Sequence, residues 1–521
     1  MRKIKKGWFC LIRVPSVFHP RLHSHPSSFS LRSAVPVILL TLAIGPKGLA
    51  QIPPPRLEAS RAPDLVDRRE AILRDERAKL PASDLPAGTD GSSRFDPLAE
   101  AVSAAELAPG SAPRLEAAAK LFELAISASK LSSPPLAFVD ECLRGVLKRD
   151  PDHAEARRLL GFVRHGEGGW ATPFAASQIA QGKVKEPPFG WVPGDWVAHL
   201  KRGELPAPRG SGRWLPADQA DALRRDWKDG WTIYTEHFEV HADVKFAEVI
   251  AFGRQLETFH QLFFSVMADV VGSELPLARR LKAPGLQPTV SKRPRHQVFF
   301  FATRDEYAEY LNPLMGVRAK ESLGIYVPKK ENPTFGNRSY FFNDVGGQLD
   351  VADTLYHEVS HQLLFESSGS TDYAQNAGNF WVFEGLGTYF ETVRTLEDGS
   401  LRVGGLVGPR IKSAKQRLVD RRELIPLDPF VAMGRAAFQG EFGGDIFLNY
   451  AEAMALAVFL MQSQDGRYRE PFLDYARDAY KGQFRNRSGR TLEDRLDRKY
   501  PDLQREFLEY LDRAGPTAIK N

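Results

Sequence analysis

The stretch "DTLYHEVSHQLLFE", residues 353–366, limits what this chain can fold into more than any other. It sets two histidines four residues apart, with a glutamate directly after the first. Nothing from Asp353 to Glu366 breaks a helix, and Leu355, Val359 and Leu363 form an apolar stripe at steps of four, so the segment predicts a helix with one buried face. On that helix His357 and His361 share a side one turn apart, roughly 6 Å along the axis. Two imidazoles so placed can meet one zinc ion at roughly 2.0–2.1 Å each. Glu358 projects near the ion but away from both ligands, where a base acting on a water would sit. By accident a His-Glu-x-x-His arises in roughly two of a hundred chains of this composition. The flanks weigh against accident: Thr354, Leu355, Tyr356, Val359, Ser360, Gln362 and Leu363 are all uncharged, where a solvated helix usually carries Lys or Arg.

A catalytic zinc needs a third protein ligand and an open fourth position. "NFWVFEGLGTYFE", residues 379–391, offers Glu384, with Glu391 two helical turns later on the same side. Taken alone, this segment reads as an amphipathic core helix with two solvated glutamates. Glu384 lies 23 residues after His361, room for one helix to end and a second to return. His237 and His241 are also four apart, but "WTIYTEHFEVHAD" (231–243) alternates as a strand. Four strand residues span roughly 13 Å, too far for one ion, so both are expected to be ordinary strand residues.

The pairing of "HEVSH" with "FEGLGTYFE" resembles the gluzincin group of zinc metallopeptidases, with the peptidase MA-like fold. The resemblance makes Glu384 the third zinc ligand and gives Glu391 the task of steadying a ligating histidine. Residues from about 230 to 512 more closely resemble a family of exported bacterial gluzincin-like proteins, on "TEHFEVHAD", "VFFFATRDEYAEYL", "SYFFND", "YAEAMALAVFLM" and "GRYREPFLDYARDAY". It implies metal-assisted hydrolysis of a peptide or protein substrate, with one Zn2+ and Glu358 as base. Some gluzincins stabilise the oxyanion with a downstream histidine, yet no histidine follows His361. Tyr450 is the candidate donor by resemblance, and an ordinary core-edge tyrosine is the alternative. By the same resemblance "RSYFFND" (338–344) is the edge strand that would pair with extended peptide. The "G-x-M-E-N" block of related aminopeptidases is absent, which leans towards an endopeptidase. A zinc-containing scaffold protein and a zinc hydrolase of non-peptide amides or esters are the other classes the motifs allow.

Net charge bears on partners and on export. The whole chain carries +5, but residues 1–50 hold eight Lys or Arg and no acid. Without them 62 basic face 65 acidic residues, a net of −3, so nucleic acid is not an expected partner. The apolar run "AVPVILLTLAIG" (34–45) follows the basic stretch and ends near "GLAQ". This reads as a signal peptide cut after Ala50, hence export to a periplasmic or extracellular space, with an uncleaved membrane anchor as the alternative. Cys10 leaves with the leader and Cys142 remains alone, so no internal disulfide is expected.

The expected class is α+β. Residues 51–97 read as a largely disordered linker with one short helix near Leu65–Lys79. Residues 98–165 read as a helical region loosely resembling tetratricopeptide hairpins, either a packing module or a surface for a protein partner. Residues 166–230 are a Gly/Pro/Trp-rich connector. Residues 231–400 form the mixed core, 401–512 its helical completion, and 513–521 a tail.

Overall fold

In the computed structural model the described residues are 61–80, 93–210, 212–329, 332–344, 351–368, 378–406, 409–481 and 491–513. The leader expected over 1–50 and residues 514–521 of the tail lie outside them. Four helices come first: α1 (Arg61–Lys79), α2 (Ala112–Ser129), α3 (Leu136–Leu147) and α4 (Ala154–Leu160). They share one core in which Leu65, Leu121, Leu124, Val139, Leu143 and Leu159 are buried. The His153 side chain caps α4 by accepting from Ala156 N–H. The helix ends at Gly161, whose left-handed φ of 105° suits glycine.

Part of the expected linker is therefore built into the fold. α1 has 19 residues, and its Glu76 accepts two hydrogen bonds from the Arg149 guanidinium. Its apolar residues are few among many charges, so only packing on α2 and α3 reveals its inner side. Residues Ser93–Phe95 form a strand paired antiparallel with Leu401–Val403, which ties this segment to the C-terminal part.

The Trp-rich connector is a threefold repetition. Val163–His165 pairs with Gly169–Ala171, Lys183–Glu186 with Gly190–Pro193, and Glu204–Pro206 with Trp214–Pro216. A short helix follows each hairpin: Pro173–Ala180, Trp196–Lys201 and Ala217–Ala222. Each second strand carries a tryptophan that reaches a neighbour. Trp170 Nε1 donates to Asp152 at 2.7 Å, Trp191 Nε1 donates to Glu100 at 2.8 Å, and the Trp214 ring stacks on His199 at 3.9 Å.

The mixed sheet has five strands: β1 (Trp231–Tyr234), β2 (Phe238–Ala242), β3 (His296–Phe301), β4 (Ile325–Val327) and β5 (Arg338–Phe342). Their order is β4-β5-β3-β2-β1, with β2, β3 and β5 parallel and the two outer strands antiparallel to their neighbours. Two expectations change here. Residues 231–243 are a hairpin rather than one strand, because Thr235 N–H donates to the Phe238 carbonyl at 2.9 Å and closes a turn. And "RSYFFND" is not the edge: β5 lies inside the sheet with β4 outside it.

The remaining helices of seven or more residues are α5 (Phe246–Val266), α6 (Pro276–Lys282), α7 (Arg304–Met315), α8 (Val351–Ser368), α9 (Phe380–Phe390), α10 (Ile446–Gln462), α11 (Arg469–Tyr480) and α12 (Tyr500–Arg513). α10 is buried on every side from Leu448 to Met461, the condition of a central helix. Helices with small sheets make the fold α+β, as expected. Among the described residues no helix is long and apolar enough to cross a membrane.

Candidate metal centre

α8 runs unbroken through the two-histidine motif, as its uncharged flanks require once both faces are packed. Tyr356, Val359 and Leu363 join the main core, and Ser339 Oγ of β5 donates to Gln362 at 2.8 Å, holding the helix to the sheet. His357 and His361 turn their Nε2 atoms together, 3.1 Å apart, with ring planes at 78°. Glu384 arrives from α9, its Oε2 standing 3.4 Å from His357 Nε2 and 3.8 Å from His361 Nε2. A tetrahedral ion with bonds of about 2.0–2.1 Å sets its ligand atoms about 3.3 Å apart. The three donor atoms therefore fit one zinc with small side-chain adjustments, and His₂Glu is a donor set zinc uses in catalytic sites.

Electrostatics favour the ligating forms. Burial pushes the His361 pKa down against the pull of Glu384, so its ring is neutral. Burial would raise the Glu384 carboxyl, but the imidazoles of His357 and His361 beside it hold it well below the usual range. Glu391 Oε1 lies 3.0 Å from His357 Nδ1, which puts the ring proton there and leaves the Nε2 lone pair for a metal.

Sequence reasoning missed what neutralises Glu391. Arg410 donates to it through Nε at 2.9 Å and Nη2 at 3.3 Å, a two-pronged bond that outweighs burial and keeps the carboxylate ionised. Glu391→Gln is expected to weaken zinc binding by about 10–100-fold and to lower the melting temperature by stranding Arg410. Competition with a chromogenic chelator measures the first; unchanged affinity would deny Glu391 its role.

The glycines of "EGLG" explain how two helices come this close. A Cβ on Gly387 would stand 2.9–3.1 Å from the His357 ring, and one on Gly385 would stand 2.9 Å from the Ala453 carbonyl of α10. Mid-helix glycine costs about 1 kcal/mol relative to alanine, and here it lets α9 lie against both neighbours. Gly387→Ala is expected to cost about 1–3 kcal/mol by overpacking and to push His357 off the donor cluster, so thermal stability and zinc affinity fall together. Calorimetry with a zinc titration checks both; a variant with wild-type values in each would contradict the close approach.

Glu358 is fully buried beside the donor cluster. Its Oε2 accepts from the Tyr326 N–H of β4 at 2.9 Å, and its Oε1 has no protein partner among the described residues. A buried lone carboxylate oxygen calls for a proton donor such as water. Burial pushes this carboxyl up to about 8, and a cation beside it would favour the ionised form that a base needs.

Tyr450 lies on α10, its ring 5.2 Å from Phe438 and 5.6 Å from the Arg410 guanidinium. A second tyrosine went unnoticed in the sequence. Tyr480 packs on Phe383 at 4.2 Å, and burial with the nearby Glu384 charge raises its pKa far above normal. Arg435, buried over the Phe380 ring at 5.7 Å, contributes to the lowered pKa of His361.

His237 and His241 do not meet. His241 faces Thr232 and the Trp227 carbonyl. His237 sits in the turn before β2 and groups with Glu257 and His260 of α5. Its ring lies stacked on His260 at 3.7 Å and is bonded to Glu257 at 2.8 Å, and the three residues offer ligand atoms within 4.8 Å of one another, a second, less buried grouping that could hold a metal ion where ordinary strand residues were expected. No family model matches the chain, and no curated protein matches it.

Proposed function

We propose that the chain is an exported zinc metallopeptidase of gluzincin type, with His357, His361 and Glu384 as ligands and Glu358 as base. The observation that carries this reading is the set of three buried donor atoms 3.1–3.8 Å apart beside Glu358 Oε1, which has no protein partner among the described residues. A zinc ion there would lower the pKa of a water to about 7 and polarise the scissile carbonyl. The chain does the rest. Glu358 takes the proton of the attacking water through Oε1 and returns it to the leaving amine nitrogen. Its Oε2 stays anchored on the Tyr326 N–H, so the carboxylate keeps its aim. Glu391 holds His357 in the tautomer a ligand needs, and Arg410 keeps Glu391 ionised. Tyr450 is the proposed donor to the developing oxyanion.

A structural zinc site has no use for a buried base with a free oxygen, which favours catalysis over a scaffold role. Incubation of the zinc-loaded chain with casein and a mixed peptide library tests the reading. Cleavage stopped by a chelator and restored by zinc is expected; zinc-loaded protein that cuts no peptide would reject it.

A further inference from the structure

A cavity of about 560 Å³ lies between the N-terminal helices and the core, walled by α2, α4, α6 and α11. Its floor is apolar, with Leu136, Leu159 and Leu281, while six cations and two acids line it. Both acids are already engaged. Glu155 accepts from Arg158 at 2.6 and 2.7 Å. Asp269 accepts from the Leu136 and Ala137 N–H groups at 2.5 and 3.3 Å, where α3 begins. Arg477 is paired with Asp474, which does not line the cavity. Lys130, Arg280, Lys282 and Lys481 thus have no carboxylate partner among the described residues.

Arg280 is the informative one. It is half-buried, and its Nε donates to the Leu159 carbonyl at 2.8 Å. Neither Nη group has a hydrogen-bond partner among the described residues. Burial and the neighbouring Arg158 guanidinium push its pKa down to about 10. A desolvated cation beside a like charge, offset only by the smaller attraction of Asp140, is under-compensated. An anion reverses the sign of that term, and a planar guanidinium fork suits phosphate or carboxylate oxygens.

We infer that this cavity is an anion-binding site, taking a phosphate or carboxylate group carried on a small apolar body. Arg280 grips the anion, Lys130, Lys282 and Lys481 add charge around it, and the leucine floor receives the apolar part. The anion could reach the site as a free small molecule or as a lipid headgroup, since the chemistry is shared.

Calorimetric titration of the full chain with octyl phosphate, octanoate and inorganic phosphate tests this. Saturable binding of octyl phosphate or octanoate is expected, at least about tenfold tighter than inorganic phosphate, which has no apolar body. Arg280→Gln is expected to weaken binding by about tenfold or more, and Glu358→Gln to bind as wild type, so the result stands apart from the zinc reading. If Arg280→Gln does not fold, the Lys130→Ala/Lys282→Ala double variant must still weaken binding severalfold. Sedimentation with phosphatidylcholine vesicles containing phosphatidic acid, without binding of the soluble probes, would support the site with a lipid headgroup as its anion. No binding to any probe or vesicle, or unchanged affinity in a folded Arg280→Gln chain, would overturn the inference.

Discussion

Glu358→Gln is expected to lower peptide hydrolysis by about 10²–10⁴-fold, the range a positioned general base supplies, while zinc content stays at that of the wild type. The separation follows from geometry. Glu358 is not among the converging donor atoms, which belong to His357, His361 and Glu384. A glutamine of the same shape can keep the Tyr326 N–H bond, yet it cannot accept a proton. Turnover with a chromogenic peptide, beside zinc measured by mass spectrometry, reads both quantities. Unchanged turnover would remove Glu358 from the chemistry; lost zinc would mean that it holds the metal or the fold.

His361→Ala and Glu384→Gln should act the other way round, on the metal first. Each removes or neutralises one of three donors, so affinity is expected to fall by more than the 10–100-fold typical of a residue that only orients a ligand. Activity should fall with occupancy. The two variants differ in what they leave behind. His361→Ala opens a cavity beside His357 and leaves Glu384 one histidine fewer to hold its charge. Glu384→Gln leaves the two imidazoles facing each other at 3.1 Å without a carboxylate. Zinc affinity by chelator competition is the check, and wild-type affinity in either variant would deny that residue its place in the cluster.

The histidine pair was legible in the sequence because it leaves a local mark. An unbroken uncharged helix puts His357 and His361 on one side, whereas Glu384 entered only through the family resemblance, its segment alone reading as a core helix with two solvated glutamates that are in fact buried. What stayed hidden depends on tertiary neighbours. Arg410 reaches Glu391 across 19 residues and belongs to no motif. The edge strand was misplaced because it was assigned by resemblance, and nothing in the residues of β4 and β5 says which of the two lies outside the other. The hairpin repeats were read only as Gly, Pro and Trp composition, since their strands are three or four residues long and their loops differ in length. α1 shows the same limit: its sparse apolar residues acquire an inner side only from the helices they meet.

Anomalous scattering at the zinc edge from crystals of the full chain would decide whether the metal centre exists. A single strong peak is expected about 2.0–2.1 Å from His357 Nε2, His361 Nε2 and a Glu384 oxygen, with one side open to water. No peak in zinc-loaded crystals, or a peak only at the His237, Glu257 and His260 grouping, would contradict it.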